Sequence, residues 1–188
     1  GFRQTTLTNF ERAEVAAGPR RFRYEACSFT PQRYDALGFG PLSISTFSNP
    51  RERRAVKLLR RRAYGPDVRG GRYRSYDLYF PYEEEDLKLL HLTRALARLQ
   101  VERAPYRDLF GADLVKERAA PLRALGAAGL VEIDDVALRL TPRGMFYADT
   151  VAGLLAAERS AALRAQGVGL HTGKLLRERL DDDDAHMG

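Results

Sequence analysis

The sequence predicts an α+β chain in which short strands come first and a mostly helical, winged-helix-like part follows. Three observations predict this. Before about residue 47, β-branched and aromatic residues alternate between glycine turns. From Tyr82 the apolar period becomes helical, with Leu87, Leu90, Leu92, Leu96 and Leu99 recurring. Further on, the elements read helix, helix, helix, hairpin, helix, which is a winged-helix order.

The 188 residues suit one large domain or two small ones, and a 44% hydrophobic content allows a packed core. No apolar run approaches the length that spans a bilayer, and the polar start shows no signal-peptide pattern, so no membrane partner is expected. The single cysteine, Cys27, excludes an internal disulfide framework and fits a reducing, cytoplasmic setting. The formal charge of +6 comes mainly from arginine. It is local, with basic runs at Arg51 to Arg54 and Arg60 to Arg62 against acidic runs at Glu83 to Asp86 and Asp181 to Asp184. The overall balance therefore says little about an anionic partner.

In order, Gly1 to Phe10 reads as a strand and a turn, and Ala16-Ala17-Gly18-Pro19 as a turn. Arg20 to Phe29 reads as a second strand or extended segment. Tyr34-Asp35-Ala36-Leu37-Gly38-Phe39-Gly40-Pro41-Leu42-Ser43-Ile44-Ser45 follows. Its glycines allow a tight bend or a close ligand, after a buried strand end at Ala36-Leu37. Backbone N–H groups there could hold a phosphate, a carboxylate or a base edge, although Gly-x-Gly also occurs in ordinary turns. Ser43 to Phe47 is a third strand. Pro50 opens a basic helix to Ala63, because its missing N–H would be unpaired at a first helical position anyway. Tyr64 to Tyr82 is a loop-rich connector.

The helix after Tyr82 carries Glu83 to Asp86 in its first turn and Arg94, Arg98 and Arg103 toward its end, as the helix dipole favours. Pro105 to Phe110 is a short helix closed by Gly111. Leu114 to Leu125 is another, open to interruption at Pro121. Leu130 to Ile133 and Val136 to Leu140 form a hairpin around Asp134-Asp135. Thr141 caps a last helix that starts at Pro142 and runs to about Arg164. The acidic tail reads as solvated, and His186-Met187-Gly188 as cloning residue.

Little in the chain looks catalytic. His91, His171 and His186 are far apart and lack ligand spacing, so no metal site is expected. Neither a nucleophile elbow nor a P-loop is present. Cys27 suits a small apolar filler better than a nucleophile, and Glu83 to Asp86 suit a solvated helix start. Arg20, Arg21 and Arg23 flank Phe22 and Tyr24, and guanidinium forks suit carboxylates, so an anionic ligand is one reading there. Surface arginines beside core aromatics is the other.

Gly1-Phe2 with Thr8-Asn9-Phe10, Arg21 to Tyr24, Leu37 to Ser45, Gly129-Leu130-Val131 and Leu140-Thr141-Pro142-Arg143-Gly144 occur in a telling order. Together they resemble the carboxy-terminal half of the oxygen-independent coproporphyrinogen III oxidase-like (HemN-like) radical S-adenosylmethionine enzymes, over roughly Gly1 to Leu155. The resemblance implies closing strands of an incomplete (β/α) barrel followed by the winged-helix-like domain. It divides the chain into barrel edge with connector (1–75), winged-helix-like domain (76–165) and flexible tail (166–188). It also implies a four-iron–four-sulfur cluster and S-adenosylmethionine, with contacts from Gly38, Phe39, Gly40, Ser43, Ile44 and Ser45 and a polar contact from Arg23, Tyr24 and Glu25.

The cluster's triple-cysteine loop is missing, since Cys27 cannot supply three ligands. The abrupt start leads us to expect an amino-terminal barrel half or a partner chain to supply it. A small-molecule substrate is implied. The Pro41-Leu42 pair and the Arg- and Ala-rich composition lean toward methyl or methylene transfer, including cyclopropanation, in natural-product biosynthesis. Porphyrinogen oxidation and haem chaperoning are the family alternatives. Beyond the family, a DNA-binding winged helix would use Lys116, Arg118 and Arg123, but the acidic hairpin tip disfavours nucleic acid. A protein-interaction role for the Pro50 to Ala63 helix is a further alternative.

Overall fold

In the computed structural model, which describes residues 1–41, 43–48, 56–59, 64–71 and 78–167, the first ten residues do not form one strand. Thr5 and Thr6 both donate their backbone N–H to Asn9 O, which turns the chain back on itself. The result is an antiparallel hairpin of β1 (Phe2–Gln4) and β2 (Phe10–Arg12). The one-turn helix α1 (Ala13–Ala16) and then α2 (Tyr24–Ser28) follow. Next come β3 (Ile44–Phe47), β4 (Val56–Leu59), α3 (Tyr64–Arg69), β5 (Leu78–Pro81) and the long α4 (Glu84–Ala97). The chain continues through β6 (Gln100–Glu102), α5 (Arg103–Phe110), α6 (Leu114–Glu117) and α7 (Ala119–Ala127). The hairpin β7 (Val131–Ile133) and β8 (Ala137–Leu140) leads into α8 (Pro142–Phe146), α9 (Ala148–Leu155) and α10 (Ala157–Ala165). Two compact units result, residues 1–31 with 88–158 and residues 32–87 with 159–188.

The first unit holds the main apolar core. Its three-stranded antiparallel sheet runs β6-β8-β7, with Val101 opposite Leu138 and Val131 opposite Leu140. Leu92 and Leu96 of α4, Tyr106 of α5, Leu122 and Leu125 of α7 and Val151 of α9 close over it. Each such side chain, fully buried, contributes roughly 1.5–3 kcal/mol before the cost of ordering it.

Local chemistry sets the element ends. Gly111, with φ 67°, closes α5 by donating its N–H to Arg107 O. Gly129, also at φ 67°, ends α7. It donates to Gly126 O while Leu130 N donates to Leu125 O, the paired bonds of a Schellman motif. Thr141 Oγ1 accepts from Gly144 N at 2.9 Å, and Pro142 takes the first helical position as expected.

Several expectations need correction. Arg20 to Phe29 is not an extended strand, because residues 24–28 wind into α2, where Cys27 N donates to Arg23 O and Phe29 N to Glu25 O. The helix expected over Pro50 to Ala63 gives way at 56–59 to β4, and its remainder lies outside the described residues. β4 is the middle strand of β3-β4-β5, so its backbone is paired on both sides, with Ile44 opposite Leu59 and Val56 opposite Pro81. The connector of residues 64–82 contains α3 and β5. Helix 114–125 breaks at Arg118 rather than at Pro121, since the proline ring would meet the carbonyl four residues back, on Glu117. The last helix is three segments, interrupted at Tyr147 and Ala156, where the backbone leaves helical geometry. Leu42, His171, His186 and the acidic run 181–184 lie outside the described residues.

Candidate functional site

The glycine bend belongs to the second unit. Ala36 and Thr46 form an antiparallel bridge through hydrogen bonds of 2.9 and 2.8 Å. Two residues inward, Gly38 N donates to Ser45 Oγ at 3.1 Å. The two chain segments lie so close that a Cβ on Gly38 would overlap the backbone of Ile44. Gly40 then takes φ +100°, and Ser43 N donates to Gly40 O at 3.3 Å. Gly38, Phe39, Gly40, Ser43, Ile44 and Ser45 are thus brought together in one tight turn on β3.

The buried strand end expected at Ala36-Leu37 is not found. Leu37 is 63% exposed, Phe39 84% and Ile44 45%. Ala36 makes only an isolated bridge rather than a strand end inside a core. The bend is therefore a pinned backbone carrying exposed apolar side chains. Space is open where a Cβ on Gly40 would stand, so a ligand could approach the backbone there.

Arg23, Tyr24 and Glu25 belong to the first unit. Arg23 precedes α2 and is exposed, and Tyr24 is 72% exposed with its ring 6.3 Å from that of Phe22. Glu25 is held inside the fold. Thr6 Oγ1 donates to its Oε2, and Thr8 Oγ1 to its Oε1 at 3.4 Å. Sequence reasoning missed these hydroxyls, although Thr5-Thr6-x-Thr8 was visible as a hydroxyl-rich turn. Cys27 is half-buried on α2 and is a free thiol.

Sequence reasoning also passed over a group of titratable residues in the first unit. His91 is buried against the edges of Tyr106 and Phe110, each at 5.7 Å. Burial, helped by the Arg98 cation, pushes its pKa down to about 4, so the imidazole is neutral. Tyr106 donates to Glu117 at 2.8 Å and Lys88 pairs with the same carboxylate at 2.7 Å. Asp113 caps α6 at Val115 N and accepts from Arg103 and Arg107 at 2.9 and 3.0 Å. Those bonds, Arg103's first, hold its carboxyl down near a pKa of about 2. In the second unit, Arg159 grips Asp86 with two bonds of 2.8 Å, while Asp86 also caps α4 at Glu83 N. This explains Glu83 to Asp86 as a helix start tied by an arginine. Among the described residues, no cluster of three His, Cys, Asp or Glu could hold a metal ion.

The sheet and helices around Tyr106 define a mixed α/β module. Residues 98–147 match the family model of the HemN C-terminal domain, and the chain is HemN-like in its carboxy-terminal architecture, as the sequence resemblance implied. Among solved structures, the chain is similar to coproporphyrinogen III oxidase (HemN) from Escherichia coli, described as a radical SAM enzyme. The TM-score is 0.58 at 14% identity, over 82% of this chain and 37% of that one. At that identity the likeness concerns the fold, and this chain spans little more than a third of that protein's length. No curated protein matches the chain. No helix among the described residues is long and apolar enough to cross a membrane.

Proposed function

We propose that this chain is the substrate-capping and S-adenosylmethionine-contacting part of a HemN-like radical SAM enzyme. The match of residues 98–147 to the HemN C-terminal domain carries the reading. In this proposal residues 1–75 close a (β/α) barrel, residues 76–165 form the winged-helix-like cover, and the tail lies beyond. The two-stranded β1–β2 hairpin supports it, since so small a sheet is marginal alone and gains from further strands. Residues 1–75 expressed alone should then be poorly soluble.

The fit of the implied groups differs between the two. S-adenosylmethionine fits the bend: Gly40 leaves its backbone approachable, Phe39 and Ile44 offer apolar surface, and Ser45 holds Gly38 in place. In the first unit, Arg23 and Tyr24 are proposed as polar contacts from the resemblance alone. Glu25 would assist only through an oxygen lone pair left free by Thr6 and Thr8. The iron–sulfur cluster does not fit the described residues and would come from chain outside 1–188. Cluster and cofactor together supply a 5′-deoxyadenosyl radical when bound.

Methyl or methylene transfer in natural-product biosynthesis, in the cytoplasm, is the finer reading. The similarity to a coproporphyrinogen III oxidase favours a second one, porphyrinogen oxidation or haem chaperoning. A duplex-binding role is the weakest, because exposed carboxylates at Asp134 and Asp135 would repel phosphate. Calorimetric titration of S-adenosylmethionine, with and without an amino-terminal barrel half in trans, tests the main reading. Heat of binding that grows with the added half is expected; no binding in either case sinks it. In the assembled enzyme, release of S-adenosylhomocysteine would mark methyl transfer, and carbon dioxide would mark decarboxylating oxidation.

A further inference from the structure

The turn between β1 and β2 does more than reverse the chain. Its Thr6 is 4% exposed and uses its hydroxyl twice, accepting the Asn9 backbone N–H at 3.2 Å and donating to Glu25 Oε2 on α2. Thr8 Oγ1 adds a longer bond, 3.4 Å, to the other oxygen of Glu25. Leu7, between them, donates its N–H to Ala97 O at 2.9 Å, at the end of α4, and packs its side chain against the core. The turn therefore joins α2 to the end of α4, wholly within the first unit.

Other contacts hold the chain on either side. Before α2, Glu11 accepts the Phe22 N–H at 2.6 Å. At the far end of α2, the Arg94 guanidinium stands over the Phe29 ring at 5.6 Å, and Thr30 Oγ1 donates to Ala26 O at 2.7 Å. A helix of five residues does not hold its shape alone, so its place depends on such anchors. Thr6 holds the helix itself, at the turn that begins with Tyr24.

We infer that Thr6 is a positioning residue: through Glu25 it sets the start of α2, and with it the backbone that carries Arg23 and Tyr24. A hydroxyl bonded to a carboxylate makes a stronger tie than one bonded to a neutral acceptor, and little water reaches Thr6 to compete for it. The inference rests on the proposed function in taking Arg23 and Tyr24 as cofactor contacts; the docking of α2 on the turn stands on the geometry of the first unit.

Hydrogen exchange at the Cys27 and Phe29 amides, which donate to Arg23 O and Glu25 O, reads the docking in the whole 188-residue chain without any ligand. Thr6→Val and Glu25→Ala should each speed exchange there by roughly tenfold or more, since each removes a bond to a charged acceptor. Glu25→Ala leaves the Thr6–Asn9 bond intact, so it separates docking from damage to the turn. The double variant should exchange no faster than the faster single one, because both remove the same bond. Thr6→Ser keeps the hydroxyl and should match the unaltered chain. S-adenosylmethionine, titrated by calorimetry with the barrel half in trans, should bind several-fold more weakly to Thr6→Val and normally to Thr6→Ser. Effects that multiply in the double variant overturn the inference, as do unprotected α2 amides in the unaltered chain. So does unchanged cofactor affinity in a Thr6→Val chain whose α2 exchange has risen, a result that leaves the cofactor reading standing. No cofactor binding by any chain, with exchange coupled as expected, removes the positioning role together with the cofactor reading and leaves only the docking.

Discussion

Among the described residues, two glycines allow backbones to touch, and their surroundings differ. Gly144, in the HemN-type module, is buried, and a Cβ there would overlap the Leu130 carbonyl oxygen. Gly38, in the bend, also lies close, with 2.4 Å left between a Cβ and Ile44 O against 1.8 Å at Gly144, but Leu37, Phe39 and Ile44 around it face water. Close approach in the module brings α8 onto the end of β7 and completes a core. In the bend it completes no core and fixes the shape of an exposed apolar turn. The same steric device therefore serves stability in one region and presentation in the other.

The strongest way to break this contrast is Gly144→Ala. Neither α8 nor the Leu130 carbonyl can retreat without opening the sheet, since Leu130 O also accepts Thr141 N at 3.1 Å. A loss of about 3 kcal/mol or more is expected, read by thermal or denaturant unfolding. Near-normal stability would show that the module tolerates a shift we take it to forbid.

Acid provides a second probe, aimed at the module alone. The folded state lowers the His91 pKa from 6.5 to about 4, so the folded chain binds fewer protons than the unfolded one between those values. The neutral imidazole's contribution is complete above about pH 6.5 and is lost as pH falls toward about 4, by about 3 kcal/mol at most. His91→Phe should flatten that slope. The Asp113 carboxylate, lowered from 3.8 to about 2, acts only below that window, so the two losses separate along the pH axis. An equal slope in His91→Phe would assign the acid sensitivity elsewhere.

Gly38→Ala should cost less, about 1–2 kcal/mol, because an exposed turn can shift where a core cannot. Its larger effect should be on ligand binding, with S-adenosylmethionine affinity falling while the module's unfolding transition stays put. If stability fell as far as in Gly144→Ala, the bend would be structural after all.

The module was legible because local and tertiary signals agree there. Gly111, Gly129 and Thr141-Pro142 each mark an end that backbone chemistry requires, and of the periodic leucines Leu92 and Leu96 face one core. β6 was not legible, because no glycine or proline announces it. Leu99, at φ 78°, makes the sharp turn from α4 that glycine would ordinarily make, and its carbonyl accepts Leu140 N at 3.2 Å. β4 was hidden in an arginine-rich stretch, and only pairing on both sides makes it a strand. In the candidate site, the residues of the bend were legible from its glycines. The exposure of Leu37 was not, since Ala36-Leu37 reads as a buried strand end until the neighbouring strands are placed.

The mildest prediction tests how far the module's stability depends on a single local signal. Thr141 Oγ1 does two things: it accepts Gly144 N at 2.9 Å and donates to Gly129 O at 2.7 Å. One bond caps α8, and the other ties that cap to the glycine ending α7. Thr141→Ala removes both, while Pro142 still pre-sets the first turn, so about 1 kcal/mol should be lost. Thr141→Ser keeps both bonds and should recover most of it. If Ser and Ala behaved alike, the methyl group rather than the hydroxyl would matter, and the join between α7 and α8 would depend on packing around Leu130 instead of on the cap.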